Sequence, residues 1–235
     1  MYNIYLKMSK INKIKLFFRY PLHYGAIRIF GKFDSVINIL KHKLYILFTR
    51  IQLIYLSFRC RKFKYDKGII FYGRTIFSVD NKAKVNLGSN IIFNNSIKSN
   101  LAGLFKRTSI EVLRGATLTM KNNCGVSGAS IYCKKSITIG ENSLIGVNCM
   151  IWDTDFHQLS STDRLNNNTD AVISREIIIG NNVFIGGNSI ILKGTRIGDG
   201  SVISAGSVVS GRVPKNQVWG GNPAKFLYSI AFEKT

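Results

Sequence analysis

A beat of six residues governs the second half of the chain. From Ile139 it reads IGENSL, IGVNCM, IWDTDF, and from Ile179 it reads IGNNVF, IGGNSI, ILKGTR, IGDGSV, ISAGSV, VSGRVP. The first position is Ile or Val in all nine hexads, the second is often Gly, and the fifth is mostly small: Ser143, Cys149, Ser189, Thr195, Ser201, Ser207. A period of six matches neither the period of about 3.6 of a helix nor that of about 2 of a lone strand. It is satisfied if each hexad is a short strand plus a turn and three hexads close a triangular coil. The stiff β-branched residue then points into a prism and stacks on its equivalent one coil away. The small fifth residue also points inward, near the corner, while Gly and Asn supply the left-handed turns. Coils would stack at about 4.8 Å, each burying its neighbour. The nine clean hexads make three coils, and looser hexads from Ile69 to Thr138 add three or four more.

The beat, together with the closing VPKNQVWGGNPAKFL, resembles the hexapeptide-repeat acyltransferase superfamily, most clearly over residues 120–227. Within that superfamily the sequence is similar to sugar O-acetyltransferases: the maltose and galactoside type, and those of capsule, O-antigen and exopolysaccharide synthesis. The resemblance implies a left-handed parallel β-helix, an all-β solenoid. It also implies acetyl-CoA as acyl donor with no metal, a sugar or glycan acceptor, and a homotrimer with its active sites between subunits.

The beat stops after Phe156 and resumes at Ile179, so residues 157–178 are expected to form a polar arm leaving the prism. His157 stands at its mouth, in DTDFH. Acetyl transfer from a thioester to a hydroxyl requires removal of the hydroxyl proton as it attacks, and neutral imidazole suits that task. The resemblance places the family's general base here, so His157 is the candidate base. Asp153 and Asp155 are candidates to orient the imidazole, with capping of the loop backbone as the plain alternative for either. Asp155 occupies a fifth position and is expected to point inward.

The resemblance carries further residues. In NNVFIGGNS, Gly187 matches the backbone N–H that would stabilise the oxyanion. Phe184 stands where the family commonly has Trp lining the thioester cleft, so a contact needing an indole N–H is lost. Ala205 and Gly206 match the small residues that let pantetheine approach the backbone. Lys193, Arg212, Lys215 and Lys225 are the cations available to the coenzyme phosphates, with Lys225 in GNPAKF the closest match. Pro223 and Gly220–Gly221 are expected to shape a turn.

Charge is unevenly spread. The net charge is +21, and residues 1–65 carry 14 Lys and Arg against one acid, Asp34. We read these residues as a basic helical extension and residues 66–235 as the acyltransferase domain with its C-terminal tail. From Ile37 apolar residues recur at helical spacing through Phe58, with Asp34 and Ser35 able to cap the start. The helix reads either as a cover for the open end of the prism or as a contact with an anionic membrane surface. No nucleic-acid motif accompanies the charge. No signal peptide or confident membrane span is recognisable, so a cytoplasmic protein, peripheral on the inner face of the membrane at most, is expected. Four cysteines without ligand spacing read as free thiols, Cys149 as core packing.

Other activities on this scaffold fare unequally. A zinc site of three histidines fails, because His23 and His42 lie outside the repeats. Serine acetyltransferase, an amino-sugar N-acetyltransferase and a non-catalytic scaffold remain open.

Overall fold

The computed structural model describes residues 21–97, 100–166 and 172–230, with side chains from Ile37 onward. The chain falls into two compact units, Met1–Leu47 and Phe48–Thr235, and one helix, Pro21–Arg59, contributes to both. In the first unit that helix is the described element, and Ile39, Leu40, Leu44 and Leu47 on it are exposed. The side chain of His23 and residues 1–20 lie outside the described residues.

The second unit is the expected prism. Successive strands fall in turn into three sheets, so each strand pairs with the third before and the third after it, in parallel. Sheet A begins with Phe63–Tyr65, sheet B with Ile70–Tyr72 and sheet C with Ile76–Val79. The strands make six complete turns and two sides of a seventh. The solenoid thus starts six residues earlier than the first looser hexad read from the sequence. A last strand, Ala224–Ser229, folds back antiparallel on Gln217–Gly221 in sheet B. The turn between them, at Asn222–Pro223, is where the sequence placed one.

The register explains the beat. In sheet A, Met120, Ile139, Ile179, Ile197 and Val213 stand one above another. In sheet B the column is Val126, Ile145, Ile185, Ile203, and in sheet C it is Ile131, Ile151, Ile191, Val209. Every one of these side chains is buried, as are the small fifth residues from Ser143 to Ser207. The corner hydroxyls are paired as well as small: Ser143 Oγ donates to Gly180 O at 2.8 Å and accepts from Val183 N at 3.0 Å. A buried side chain of this size contributes about 1.5–3 kcal/mol through removal of apolar surface from water.

The corner between sheets A and B carries an asparagine ladder. Asn90, Asn123, Asn142 and Asn182 all adopt positive φ, between 55° and 60°. Each donates its amide to the carbonyl oxygen of the next, at 3.0–3.1 Å. Asparagine tolerates the left-handed turn, and its amide closes a hydrogen bond that glycine would leave to water.

At the open N-terminal end, the last turns of the long helix lie on the first coils. Leu53, Leu56 and Cys60 are buried in the same core as Phe63 and Phe71. Thr49 Oγ1 accepts from Phe71 N at 2.9 Å, and Gln52 Nε2 donates to Thr75 O at 2.6 Å. Residues 49–60 therefore cover the end of the solenoid, which would otherwise expose apolar interior and unpaired strand backbone.

Two excursions break the coils. One runs from residue 95 to 108, between Ile92–Asn94 and Ser109–Val112, and was not distinguished in the sequence from slipped hexads. The other runs from 153 to 176, between Met150–Trp152 and Ile177–Ile179, so the arm leaves four residues earlier than the hexads indicate. We expect Ile185→Ala to lower unfolding free energy by about 3 kcal/mol, by opening a cavity in a stacked column. Leu165→Ala on the exposed arm should change it by less than about 0.5 kcal/mol. Chemical denaturation of both variants measures the difference.

Candidate active site

The prism has three edges, and the candidate residues fall on them unequally. The arm leaves from the edge between sheets C and A. Its root is organised by Asp153, which is 0% exposed. One carboxylate oxygen accepts from Lys134 N at 2.7 Å, and the other accepts from Lys135 N at 2.7 Å and Ser136 N at 2.8 Å. Three backbone N–H groups at the turn of the preceding coil are thus satisfied by one buried carboxylate, a strong arrangement because the acceptor is charged. Asp153, not Asp155, is the aspartate that points inward. Counting by sixes fails here because the chain has already left the coil after Trp152.

The two strands of the arm are stapled at its base. Thr154 and Ser174 form an antiparallel bridge, and Ser174 Oγ donates to Thr154 Oγ1 at 3.0 Å. Asp155 is partly exposed and pairs with Lys193 Nζ at 2.5 Å. Between Asp155 and His157 the chain makes a tight turn, with His157 N donating to Asp155 O at 2.7 Å and Phe156 at φ 63°. Among the described residues, every other positive-φ residue is Asn or Gly. A bulky side chain in this region is strained, and such strain gathers at functional sites. Phe156 is held by aromatic contacts with Tyr132 and Trp152, ring centroids 4.8 Å and 5.4 Å away. These contacts turn His157 outward, where its imidazole is exposed and no described side chain hydrogen-bonds it. Farther out, Ser160 caps a short helix, Ser161–Leu165, and residues 167–171 of the arm lie outside the described residues.

The edge between sheets B and C is built differently. Val147, Gly187 and Ala205 occupy the same place in successive coils, two residues beyond Ile145, Ile185 and Ile203. None of their backbone N–H groups meets an acceptor among the described residues. At two of its positions there is no room for a side chain, at Gly186 against backbone and at Gly187 against the Val147 side chain. A Cβ on Gly186 would lie 2.4 Å from Ala205 N, and one on Gly187 would lie 2.8 Å from Val147 Cγ2. Gly206, at φ 71°, donates to Gly187 O at 2.9 Å. Phe184 stands half-exposed on the adjoining face of sheet B, and Lys225 is exposed on the terminal hairpin of the same sheet. Phe184, Gly187, Ala205, Gly206 and Lys225 thus share one side of the prism.

The remaining cations do not join them within one chain. Lys193 is on the C–A edge with Asp155, Arg212 on sheet A, and Lys215 on the A–B edge. His157 and Gly187 likewise lie on different edges, separated by the width of sheet C, on the order of 20 Å for one hexad of extended chain.

The 95–108 excursion was missed in the sequence and borders this site. It lies on the B–C edge just below Val147. Asn148 Nδ2 donates to Gly103 O at 2.9 Å, and Phe105 N donates to Asn148 Oδ1 at 3.2 Å. Lys106 Nζ donates to Ser130 Oγ at 3.0 Å, and burial holds its pKa below the usual lysine value. The apolar Leu101 and Phe105 on this excursion are exposed. The signal available in the sequence was the run SIKSNLAGLFKRT, too long for two hexads and ending in a Lys-Arg pair.

All four cysteines are buried free thiols. Burial pushes the Cys124 pKa up to about 11 and raises those of Cys133 and Cys149, so these three thiols stay protonated near neutrality.

The model of the hexapeptide repeat of succinyl-transferase matches residues 136–151 and 176–210. Its two segments stop at the root of the arm and resume one residue before the prism does. The chain is a hexapeptide-repeat left-handed β-helix. A solved structure, that of AntD, shares the architecture, and two others are similar in sequence. A mutant of AntD, an N-acyltransferase from Bacillus cereus in complex with dTDP-4-amino-4,6-dideoxyglucose and coenzyme A, is 14% identical with a TM-score of 0.59. The match covers 77% of this chain and 89% of that one. A hexapeptide-repeat-containing acetyltransferase from Vibrio cholerae, complexed with acetyl coenzyme A, is 22% identical over 75% of this chain and 74% of its own, at a TM-score of 0.44. A galactoside acetyltransferase in complex with coenzyme A is 26% identical over 72% of this chain and 65% of its own, at 0.46. Comparison with curated protein sequences finds no match.

The geometry separates two roles for the aspartates. Asp153→Asn removes one of the two oxygens that hold three N–H groups and buries an amide against donors, so it should cost about 2–4 kcal/mol of stability. Asp155→Asn should cost less than about 1 kcal/mol, because its ion pair is partly solvated. Denaturant midpoints of the two variants test this; equal, small effects would mean that Asp153 does not anchor the arm.

Proposed function

We propose that this chain is an acetyl-CoA-dependent O-acetyltransferase that acetylates a sugar hydroxyl, with His157 as general base. The observation that carries the reading is the B–C edge. Its row of open backbone N–H groups at Val147, Gly187 and Ala205, with no side chain at Gly187 and a small one at Ala205, suits an extended thioester whose amide carbonyls accept hydrogen bonds. AntD, whose fold the chain shares, is in complex with coenzyme A, the thiol from which such a thioester is made.

In this reading the pantetheine arm lies along the edge, against Ala205 and Gly206, with Phe184 as an apolar wall. Lys225, on the terminal hairpin of the same side, meets the phosphates. The thioester carbonyl rests against Gly187 N–H. As the acceptor hydroxyl attacks, neutral imidazole takes its proton, the carbonyl π electrons move onto oxygen, and Gly187 N–H stabilises that charge. Collapse of the tetrahedral intermediate expels the coenzyme thiolate, which takes the proton from the imidazolium. Asp155, two residues before the base, is the aspartate left to favour the imidazolium as it forms, its charge partly offset by Lys193.

Because His157 and Gly187 lie on different edges of one prism, the reading requires two copies side by side, the arm of one reaching the B–C edge of the next. A homotrimer repeats that contact three times and closes. The acceptor would be a glycan unit of capsule, O-antigen or exopolysaccharide synthesis. Amide formation on an amino sugar is the second reading, and the AntD fold match is what favours it.

His157→Ala is expected to lower kcat by about 100-fold or more while leaving the fold intact. Mass spectrometry of surface glycans from cells expressing wild type and variant at equal level reads the acetyl increment. An increment lost in the variant and cleaved by mild base supports the ester reading. One that resists mild base replaces it with the amide. An increment that persists in the variant removes His157 from the mechanism.

A further inference from the structure

The long helix has two apolar faces, and the solenoid uses one. Thr49, Gln52, Leu53 and Leu56 face the first coils. Phe48, Ile51, Ile54, Tyr55 and Phe58 are exposed, Phe58 at 84%. A helix that is apolar on opposite sides is one that meets something on both.

The exposed stripe has a definite form. At about 100° per residue, Phe48, Ile51, Ile54, Tyr55 and Phe58 fall within a sector of about 120°. Exposed basic residues border it on both sides: Arg59 along one margin, Arg50 along the other. The Arg59 guanidinium sits 6.0 Å from the Tyr55 ring centroid, folded toward the stripe. Arg61, Lys62 and Lys64 continue the positive charge just beyond the helix, and all three are exposed. Asp34 is the one acid in the first 65 residues. No described helix is long and apolar enough to cross a membrane.

Charge decides what covers the stripe. A second copy of the same helix would bring two basic margins together with no carboxylate opposite them, which opposes association. An anionic bilayer is complementary in both respects. Its hydrocarbon accepts the apolar sector, its headgroups accept the cations, and long Lys and Arg side chains can lie apolar stem inward and charge outward at the boundary. Each basic residue near such a surface contributes about 1 kcal/mol.

The geometry points to the outer face of this helix as a docking surface for an anionic phospholipid bilayer, on which the helix lies flat while its inner face closes the β-helix. The two readings of the helix drawn from the sequence, end cover and membrane contact, then belong to opposite sides of one element. The inference is independent of the acyl transfer chemistry.

Flotation of the full-length chain with liposomes tests it. One set is phosphatidylcholine alone, and the other includes phosphatidylglycerol. Three proteins are compared: wild type, Arg50→Gln with Arg59→Gln, and Ile51→Asp with Phe58→Asp. All four positions are exposed, so the variants should fold, and light scattering checks that particle mass is unchanged. Wild type is expected to float with the anionic liposomes only, less at high salt, and each double variant to bind about 30-fold more weakly. Absence of flotation would overturn the proposal, as would flotation indifferent to lipid charge and to both variants. A fall in particle mass in Ile51→Asp with Phe58→Asp would also overturn it, assigning the stripe to contact between copies of the chain.

Discussion

Inside the prism, one interaction sets the terms for the rest: the stacking of a β-branched side chain on its equivalent in the next coil. Ile151, for example, rests between Ile131 and Ile191. This stacking holds only if every coil has the same circumference, and that circumference is what the six-residue period encodes. Because the interior is packed at crystal-like density, an insertion cannot be absorbed within a coil and must leave at a corner. Both excursions do so.

Stacking also copies the corners. Whatever group sits at one corner recurs one coil on, so each edge of the prism becomes a row of like groups with its own chemistry. The A–B edge is closed: its asparagines satisfy one another. The B–C edge is open over three coils, with N–H groups directed away from the interior and glycines where side chains would obstruct. The C–A edge is where the chain departs, anchored by Asp153 and strained at Phe156. Rigid rows place groups accurately without moving parts, which suits a transfer reaction between two bound partners. They also keep the candidate base and the candidate oxyanion donor apart in a single chain, and this separation is the reason for proposing a site shared between copies.

Much of this was legible in the sequence, and the exceptions have physical causes. The inward positions, the asparagine and glycine turns and the coil count follow from a period that only one geometry satisfies. The arm was visible as a break in that period. Its point of departure was displaced because Thr154 and Asp155 happen to continue the spacing after the chain has left the coil. For the same reason Asp155 was assigned the inward place that Asp153 holds. The 95–108 excursion was hidden because the early hexads are degenerate and Leu101 and Phe105 imitate repeat positions, although both are exposed. Cys149 was read correctly as packing, since a small buried residue was required there.

By itself the sequence determined the solenoid, its period, the residues that fill it and the identity of His157 as the one histidine among the repeats. These are properties of local pattern, in which each residue's role depends on its place in six. Which groups share an edge was decided only by the tertiary structure. Gly187 and Ala205 are eighteen residues apart in the chain and adjacent on one edge, whereas His157 and Gly187, thirty residues apart, are on different ones. The winding of the chain around the prism converts sequence separation into position modulo one turn, and each excursion shifts that count by an amount no period predicts.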